Sequence, residues 1–406
     1  MIKKVRLFGL VVCLLLMAVS PVPVQAQGGL TVLDSSTHIE YPAELTFSVS
    51  AESNVNITDI RLHYTVDRLS FARVTSEAYI EFEPAATVEA EWTWDMRRTG
   101  GLPPGAIVSY WWTVEDAGGN RVETTPVRVY FDDTRYRWQS LVEGKVTLHW
   151  YKGGDSFARE LMAGAQETLT RLAEDTGAVL EKPVDIYIYA DTRDLRGSLI
   201  FPQEWTGGVA FTRYGIIAIG ISPTQLDWGK RAMSHELAHL VVHQMTFNPY
   251  IELPTWLDEG LAMYAEGPLE PGFAALLSKA TAEGSLISVR SLSSPFSAHA
   301  EESVLSYAES YSLVEFLINS YGQSQMLELL LTFKEGSGYD AALEKVHGFD
   351  MDGLDKLWRD KLTVTARPTE KTGLLTVLMG AVAGPGSGLL LVSGLAAKRR
   401  AWRQGW

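Results

Sequence analysis

Cysteine is all but missing: Cys13 is the only one in 406 residues, and it lies inside an apolar N-terminal run. If that run is a removable leader, the mature chain has no thiol. Disulfide staples and a thiol nucleophile are then excluded, and packing or a bound metal must stabilise the fold. Positive charge is short as well, with 35 Lys and Arg against 49 Asp and Glu and a net charge of −14. The first 26 residues and the stretch from Gly373 onward carry seven basic residues and no acidic one, so the part between them stands at −21. A surface this acidic argues against nucleic acid and against lying flat on anionic lipid. No GxxxxGK nucleotide loop and no internal repeat occurs.

The two ends are unlike the rest. Lys3, Lys4 and Arg6 precede an apolar run from Leu7 to Val19, and "PVPVQA" ends in small residues at Val24 and Ala26, the pattern of a signal peptide over 1–26. Cys13 as a lipid-bearing cysteine is the alternative, but "LVVC" lacks the small residue expected before it. From Thr372 to Ala397 there is no charge over 26 residues, long enough to cross a bilayer of about 30 Å. Lys398, Arg399, Arg400 and Arg403 then form a basic tail, 398–406, expected to remain in the cytoplasm. A single-pass protein with everything between the two segments outside the cytoplasm is expected; a tail removed by a sorting enzyme fits the same pattern.

Residues 30–132 read as strands. "ELTFSVSA", "ITDIRLHYTV", "AYIEFEP", "TVEAEWTWD", "AIVSYWWTVEDA" and "PVRVYFDD" alternate apolar and polar residues and are separated by turns such as "LPPG" and "AGGN". An immunoglobulin-like or fibronectin-like β-sandwich without a disulfide is expected. Trp92, Trp94, Trp111 and Trp112 suit either a glycan platform or a core in which one member of each pair is buried. The module is expected to act as a spacer or to contact a wall component or glycan.

Over 140–365 the texture changes. "KVTLHWYK" and "VDIYIYAD" read as strands around the helix "FARELMAGAQETLTRLAED", which Gly177 ends, and "TGGVAFTRYGIIAIGI" gives two more strand-like runs. Helices are then expected over 223–246, 254–266, 271–282, 300–321, 323–334, 339–347 and 351–362. The spacing predicts an α+β domain.

The chemistry is concentrated in "MSHELAHLVVHQ" (233–244). Ser222 is the expected cap of this helix, with Pro223 in its first turn and Gln225 closing a capping box. His235 and His239, four apart, share one helix face and can converge on one zinc ion. Glu236 then projects beside the open coordination position, where it can take a proton from water. Two buried histidines satisfied by their neighbours are the alternative. What weighs against that is "PTWLDEGLAMYAEG": separated from His239 by 19 residues, Glu259 offers an oxygen donor from a second helix, completing a His₂Glu set.

"HELAH" followed by "WLDEGLA" resembles the gluzincin metalloproteases, specifically the peptidase MA-like proteins of bacterial cell envelopes. The resemblance covers roughly 145–362. It implies a thermolysin-like zincin domain binding one Zn²⁺ through His235, His239 and Glu259, with Glu236 as general base. It also implies that "GGVAF" (207–211) pairs with an extended peptide substrate, as an endopeptidase of modest sequence preference would. Tyr307, on the segment resembling the family's tyrosine-bearing helix, is the candidate oxyanion stabiliser, and His299 a lesser one. The chain departs from the thermolysin pattern at Met263, where an acidic residue is expected; Asp258 or Glu266 is left to orient a ligand. His243 continues the helix face, but "HLVVHQ" lacks the glycine and spacing of a third histidine ligand, so a structural role is expected. A catalytically inactive zincin and sandwich acting as a surface binding or adhesion protein is the rival reading.

Overall fold

The computed structural model describes residues 24–25, 29–203, 206–297 and 300–366. The signal-like segment apart from Val24–Gln25, the apolar stretch 372–397, the basic tail and His299 lie outside the described residues. Among the described residues no helix is long and apolar enough to cross a membrane.

The first eight strands form one hydrogen-bonded network: β1 (Val24–Gln25), β2 (Thr31–Glu40), β3 (Glu44–Val66), β4 (Ser76–Tyr79), β5 (Ala85–Asp95), β6 (Ala106–Asp116), β7 (Arg121–Glu123) and β8 (Val127–Phe131). Two of the runs expected as separate strands are one. The first half of β3 pairs with β2 and β5, its second half with β6 and β4, and the register shifts between Glu52 and Ile57. At that corner the strand passes from one layer of the sandwich to the other. Leu45, Phe47, Val49 and Ala51 from one layer meet Leu62, Val108, Tyr110 and Trp112 from the other, with the Phe47 and Tyr110 rings 5.0 Å apart.

The second layer system begins after a short linker. Strands β9 (Gln139–Glu143), β10 (Val146–Trp150), β11 (Val184–Tyr189), β12 (Gly208–Phe211) and β13 (Ile216–Gly220) form a sheet in the order β12-β13-β11-β10-β9. β10, β11 and β13 are parallel, and antiparallel edges close both sides. Helices α1 (Asp155–Thr176), α2 (Thr192–Arg196), α3 (Leu226–Thr246), α4 (Thr255–Ala265), α5 (Pro271–Glu283), α6 (Val289–Leu292), α7 (Ala300–Tyr321), α8 (Gln323–Lys334), α9 (Tyr339–His347) and α10 (Met351–Ala366) complete it. α1 ends where Gly177 takes φ 72°, a left-handed cap that glycine adopts without a Cβ clash. A second core, separate from that of the sandwich, lies between this sheet and α1, α3 and α4.

Several expectations shift. α3 begins at Leu226, not at Pro223, and Ser222 does not cap it. The Ser222 hydroxyl is paired with Thr224 at 2.9 Å, and Gln225 N–H donates to the Ser222 carbonyl, so 222–225 is a turn before the helix. β2 was not expected: in "TVLDSSTHIE" a register shift between Val32 and Asp34 interrupts the apolar alternation. Trp92 and Trp94, two apart on β5, point to the same inner face, and both sit half-buried against Tyr64 at the sandwich rim. Trp112 is fully buried and donates to Ser35 Oγ, while Trp111 lies on the outer face, stacked on His63 at 5.4 Å. Only the second pair divides as expected.

The linker and the two cores are joined by a buried polar knot. Asp133, fully buried, accepts from Arg135 Nε (2.7 Å) and Nη2 (2.6 Å), from the Arg135 N–H (3.2 Å) and from the Tyr189 hydroxyl (3.0 Å). A sandwich held this way is docked, not strung out on a flexible tether.

Candidate metal centre

α3 is buried on nearly all sides, from Ala232 to Val242 without a break. Polar residues in such a helix need partners, because an unpaired buried polar group costs on the order of 1–3 kcal/mol. His235 and His239 face α4, their rings 4.9 Å apart and nearly perpendicular. From α4, Glu259 Oε2 approaches His235 Nε2 at 3.4 Å and His239 Nε2 at 3.6 Å. Both Nε2 atoms are buried and have no hydrogen-bond partner, and neither oxygen of Glu236 has one. Donors held about 2.0–2.1 Å from a tetrahedral zinc lie about 3.4 Å from one another, so the spacing fits one shared ion better than direct hydrogen bonds.

The packing of "WLDEG" explains its composition. Trp256 and Leu257 are buried in the core. Asp258 and Glu259 point back to α3. Gly260 lets α4 lie against α7: a Cβ there would run into the Ser310 carbonyl oxygen and come within 2.7 Å of Val314. Any side chain at 260 would push Glu259 off its mark.

Each imidazole is oriented from behind. His235 Nδ1 lies 2.9 Å from Glu266 Oε1, and His239 Nδ1 lies 3.0 Å from Asp258 Oδ1. A carboxylate can only accept, so each Nδ1 carries the proton and each Nε2 lone pair faces the centre. The two carboxylates are themselves held. Arg231 Nη2 contacts Glu266 at 3.2 Å, and His243 Nε2 donates to Asp258 Oδ2 at 3.1 Å. The acidic residue missing at Met263 is therefore replaced by both candidates, and His243 has its structural role through Asp258. Arg231 was not expected; nothing in its spacing marks it, because it reaches Glu266 only once α4 crosses α3.

The electrostatics point the same way. Burial opposes charge on every group here, yet contacts with Glu259 and Glu266 raise His235 to about 9, and Asp258 raises His239. Burial works against ionised Glu259, but the two imidazoles hold it down to about 2. Asp258 is lowered by His243 and His239 against the same burial. A centre that draws in protons so strongly carries more carboxylate than neutral imidazoles balance, which suits a divalent cation. Glu236 differs. Burial pushes its carboxyl up, and the Ala210 N–H leans towards it without reaching hydrogen-bond geometry.

Glu236 faces the edge strand β12. A Cβ on Gly208 would lie 2.8 Å from Glu236 Oε1, so glycine is required for the approach. The Gly220 N–H donates to Gly207, which sets the alternation of the β12–β13 ladder. The main-chain groups of Gly208 and Ala210 then point away from β13, towards Glu236. Tyr307 is buried in a small cluster with Met263 and Tyr311, edge-on to Phe296 at 5.2 Å. Met263 lies one turn beyond Glu259, and Tyr307 shares its cluster from α7 but is not one of the groups that converge in the centre.

Residues 164–364 match the model of the Peptidase MA superfamily, a span just under half of the chain. No curated protein matches the chain. Among solved structures, it is similar to an M1 zinc metallopeptidase from Deinococcus radiodurans, at 14% identity and a TM-score of 0.34 over 82% of this chain and 94% of that one. OgpA from Akkermansia muciniphila is matched at 9% identity and a TM-score of 0.21, over 27% of this chain and 29% of that one. A carbohydrate-binding module family 56 β-1,3-glucan binding domain is matched at 18% identity and a TM-score of 0.16, over 24% of this chain and 95% of that one. Likenesses this distant carry no argument about activity.

Proposed function

We infer, from residues 164–364 belonging to the peptidase MA superfamily, that this chain is a zinc metallopeptidase, and we propose that it is an endopeptidase acting outside the cytoplasm. One observation carries the reading: the Nε2 atoms of His235 and His239 and a Glu259 oxygen meet in a buried site, with separations suited to a common ion. His235, His239 and Glu259 would hold one zinc ion. When bound, zinc supplies Lewis acidity, lowering the pKa of water to about 7 and polarising the scissile carbonyl. Glu236 takes the proton of the attacking water and passes it to the leaving amine; its burial suits a base that must also act as an acid. Tyr307, on α7, is assigned to the developing oxyanion on its resemblance to the family's tyrosine-bearing helix alone.

The edge of β12 facing away from β13 receives the substrate main chain as an added strand. Binding through backbone groups selects an extended internal segment and reads side chains weakly, which favours endopeptidase action on unfolded protein. The signal-like N-terminus and the uncharged stretch 372–397 support export and a single-pass anchor, with the catalytic domain facing away from the cytoplasm. The immunoglobulin-like or fibronectin-like sandwich offers Trp111 and the Trp92–Trp94 rim as aromatic surfaces for a wall polymer or glycan.

The purified chain should contain about one zinc per molecule and cleave casein in a chelator-sensitive manner. A protein that neither binds zinc nor cleaves is a binding module, and the enzyme reading is then lost. In intact cells a C-terminal tag should resist external protease; digestion of the tag would overturn the orientation.

A further inference from the structure

The sandwich contacts the chain on both sides of β12, at residues 197–200 and at 213–214. Before the strand, the Tyr41 hydroxyl donates to the Ser198 carbonyl at 3.1 Å, and the linker residue Arg135 donates to the Gly197 carbonyl at 2.8 Å. Ile200 packs against the sandwich core, so close that a Cβ on Gly101 would lie 2.9 Å from its side chain. After the strand, the Leu69 N–H donates to the Arg213 carbonyl at 2.6 Å, and Tyr214 also packs on the sandwich core. A third contact reaches the end of α3 itself, where Phe71 stacks on Phe247 at 4.1 Å and 8°.

β12 itself is only four residues long and, among the described residues, pairs with β13 alone. So short an edge strand has little of its own to fix its position. Its other edge must nonetheless hold still, because Gly208 sits against Glu236 with no room to spare. Misplacement by about 1 Å is enough to cost a large factor in rate or binding at such a site.

We propose that the β-sandwich is a positioning element of the peptidase cleft, holding the substrate-pairing edge of β12 in register with Glu236, with Ile200 as its principal contact. This rests on the metallopeptidase reading above. Pairing along an edge binds ground state and transition state alike, so loosening the edge raises KM and leaves kcat nearly unchanged.

The experiment compares Ile200→Ala and Tyr41→Phe with Val88→Ala, a truncation in the sandwich core on β5. All are made in the full chain in detergent and assayed on an extended fluorogenic peptide. Ile200→Ala should raise KM about tenfold, equivalent to about 1.4 kcal/mol, with kcat within about twofold and zinc content unchanged. Tyr41→Phe should raise it by a smaller factor, and Val88→Ala should lower the unfolding midpoint without moving KM. An unchanged KM in Ile200→Ala, or an equal rise in Val88→Ala, overturns the proposal. Hydrogen exchange separates it from the enzyme reading. Even if the wild-type chain cleaves nothing, the 206–212 amides should exchange faster in Ile200→Ala than in Val88→Ala, and equal rates would refute the grip of the sandwich on β12.

Discussion

The domain junction and the metal centre both bury carboxylates among aromatic and basic groups, but they treat them oppositely. At the junction Asp133 has both oxygens engaged, by Arg135 and by Tyr189. At the centre, Glu236 has neither oxygen hydrogen-bonded, and the two histidine Nε2 atoms beside it have no such partner either. Burial alone therefore does not mark a site. Saturated polar groups hold two domains together, whereas convergent unsaturated ones await a ligand. Glu309 on α7 lies between the extremes, fully buried with one donor, the Ile287 N–H, shared by its two oxygens at 3.1 Å.

The contrast can be broken most severely at Glu236. Glu236→Gln should reduce peptide cleavage by about 10³-fold or more, while zinc content and the unfolding midpoint hold or rise, because no partner is orphaned. Retained cleavage would remove Glu236 as the base. At the junction the opposite is expected. Asp133→Asn should destabilise the chain by roughly 2–3 kcal/mol in denaturant unfolding, less than a fully buried pair because Arg135 is partly exposed, with zinc content unchanged. If the two variants behave alike in stability, the distinction between saturated and unsaturated carboxylates fails here.

Asp258→Asn tests the group that orients a ligand, and should weaken zinc affinity by about 10–100-fold in a chelator competition while the ion can still bind. The smallest effect is at Glu309. Burial raises its carboxyl from the ordinary 4.5 to about 7, against the Ile287 N–H and Arg359. A raised folded value means that its contribution to stability is complete below pH 4.5 and is lost as pH climbs through 7. Glu309→Gln should therefore match the wild type near pH 4.5 and exceed it by about 1–2 kcal/mol at pH 8, flattening that part of the profile. An unchanged slope would show that the Glu309 carboxyl titrates alike in the folded and unfolded chain.

How much of this was readable from the residues depended on range. His235, His239 and Glu259 were legible because four-residue spacing on a helix and a second acidic helix are local patterns. Asp258 and Glu266 appeared only as alternatives, since which one reaches an imidazole depends on how α4 crosses α3; in the event each serves one. Gly208 and Gly260 lay inside quoted motifs, but the reason for each was not legible, because it comes from an approaching side chain and an approaching helix. β2 was hidden by the polar run Asp34–Thr37 on an edge, and the start of α3 by a serine whose hydroxyl found a nearer partner in Thr224. Asp133 and Tyr189 looked like ordinary loop and strand residues until the two cores were brought together.

β3 passes from one face of the sandwich to the other without a loop, pinned at its corner where Ser53 donates to Asp116 at 2.7 Å and Ala117 N–H to Asn56 at 2.8 Å. A proteinase meeting this corner finds hydrogen-bonded main chain and no slack to thread through its own cleft. Cutting should begin instead in the exposed stretch 67–75, which carries Leu69 and Phe71. A first nick there would leave the two sheets together but release one of their holds on the neighbouring domain, so ageing of the protein in a proteolytic milieu would be felt at the cleft before the sandwich itself came apart.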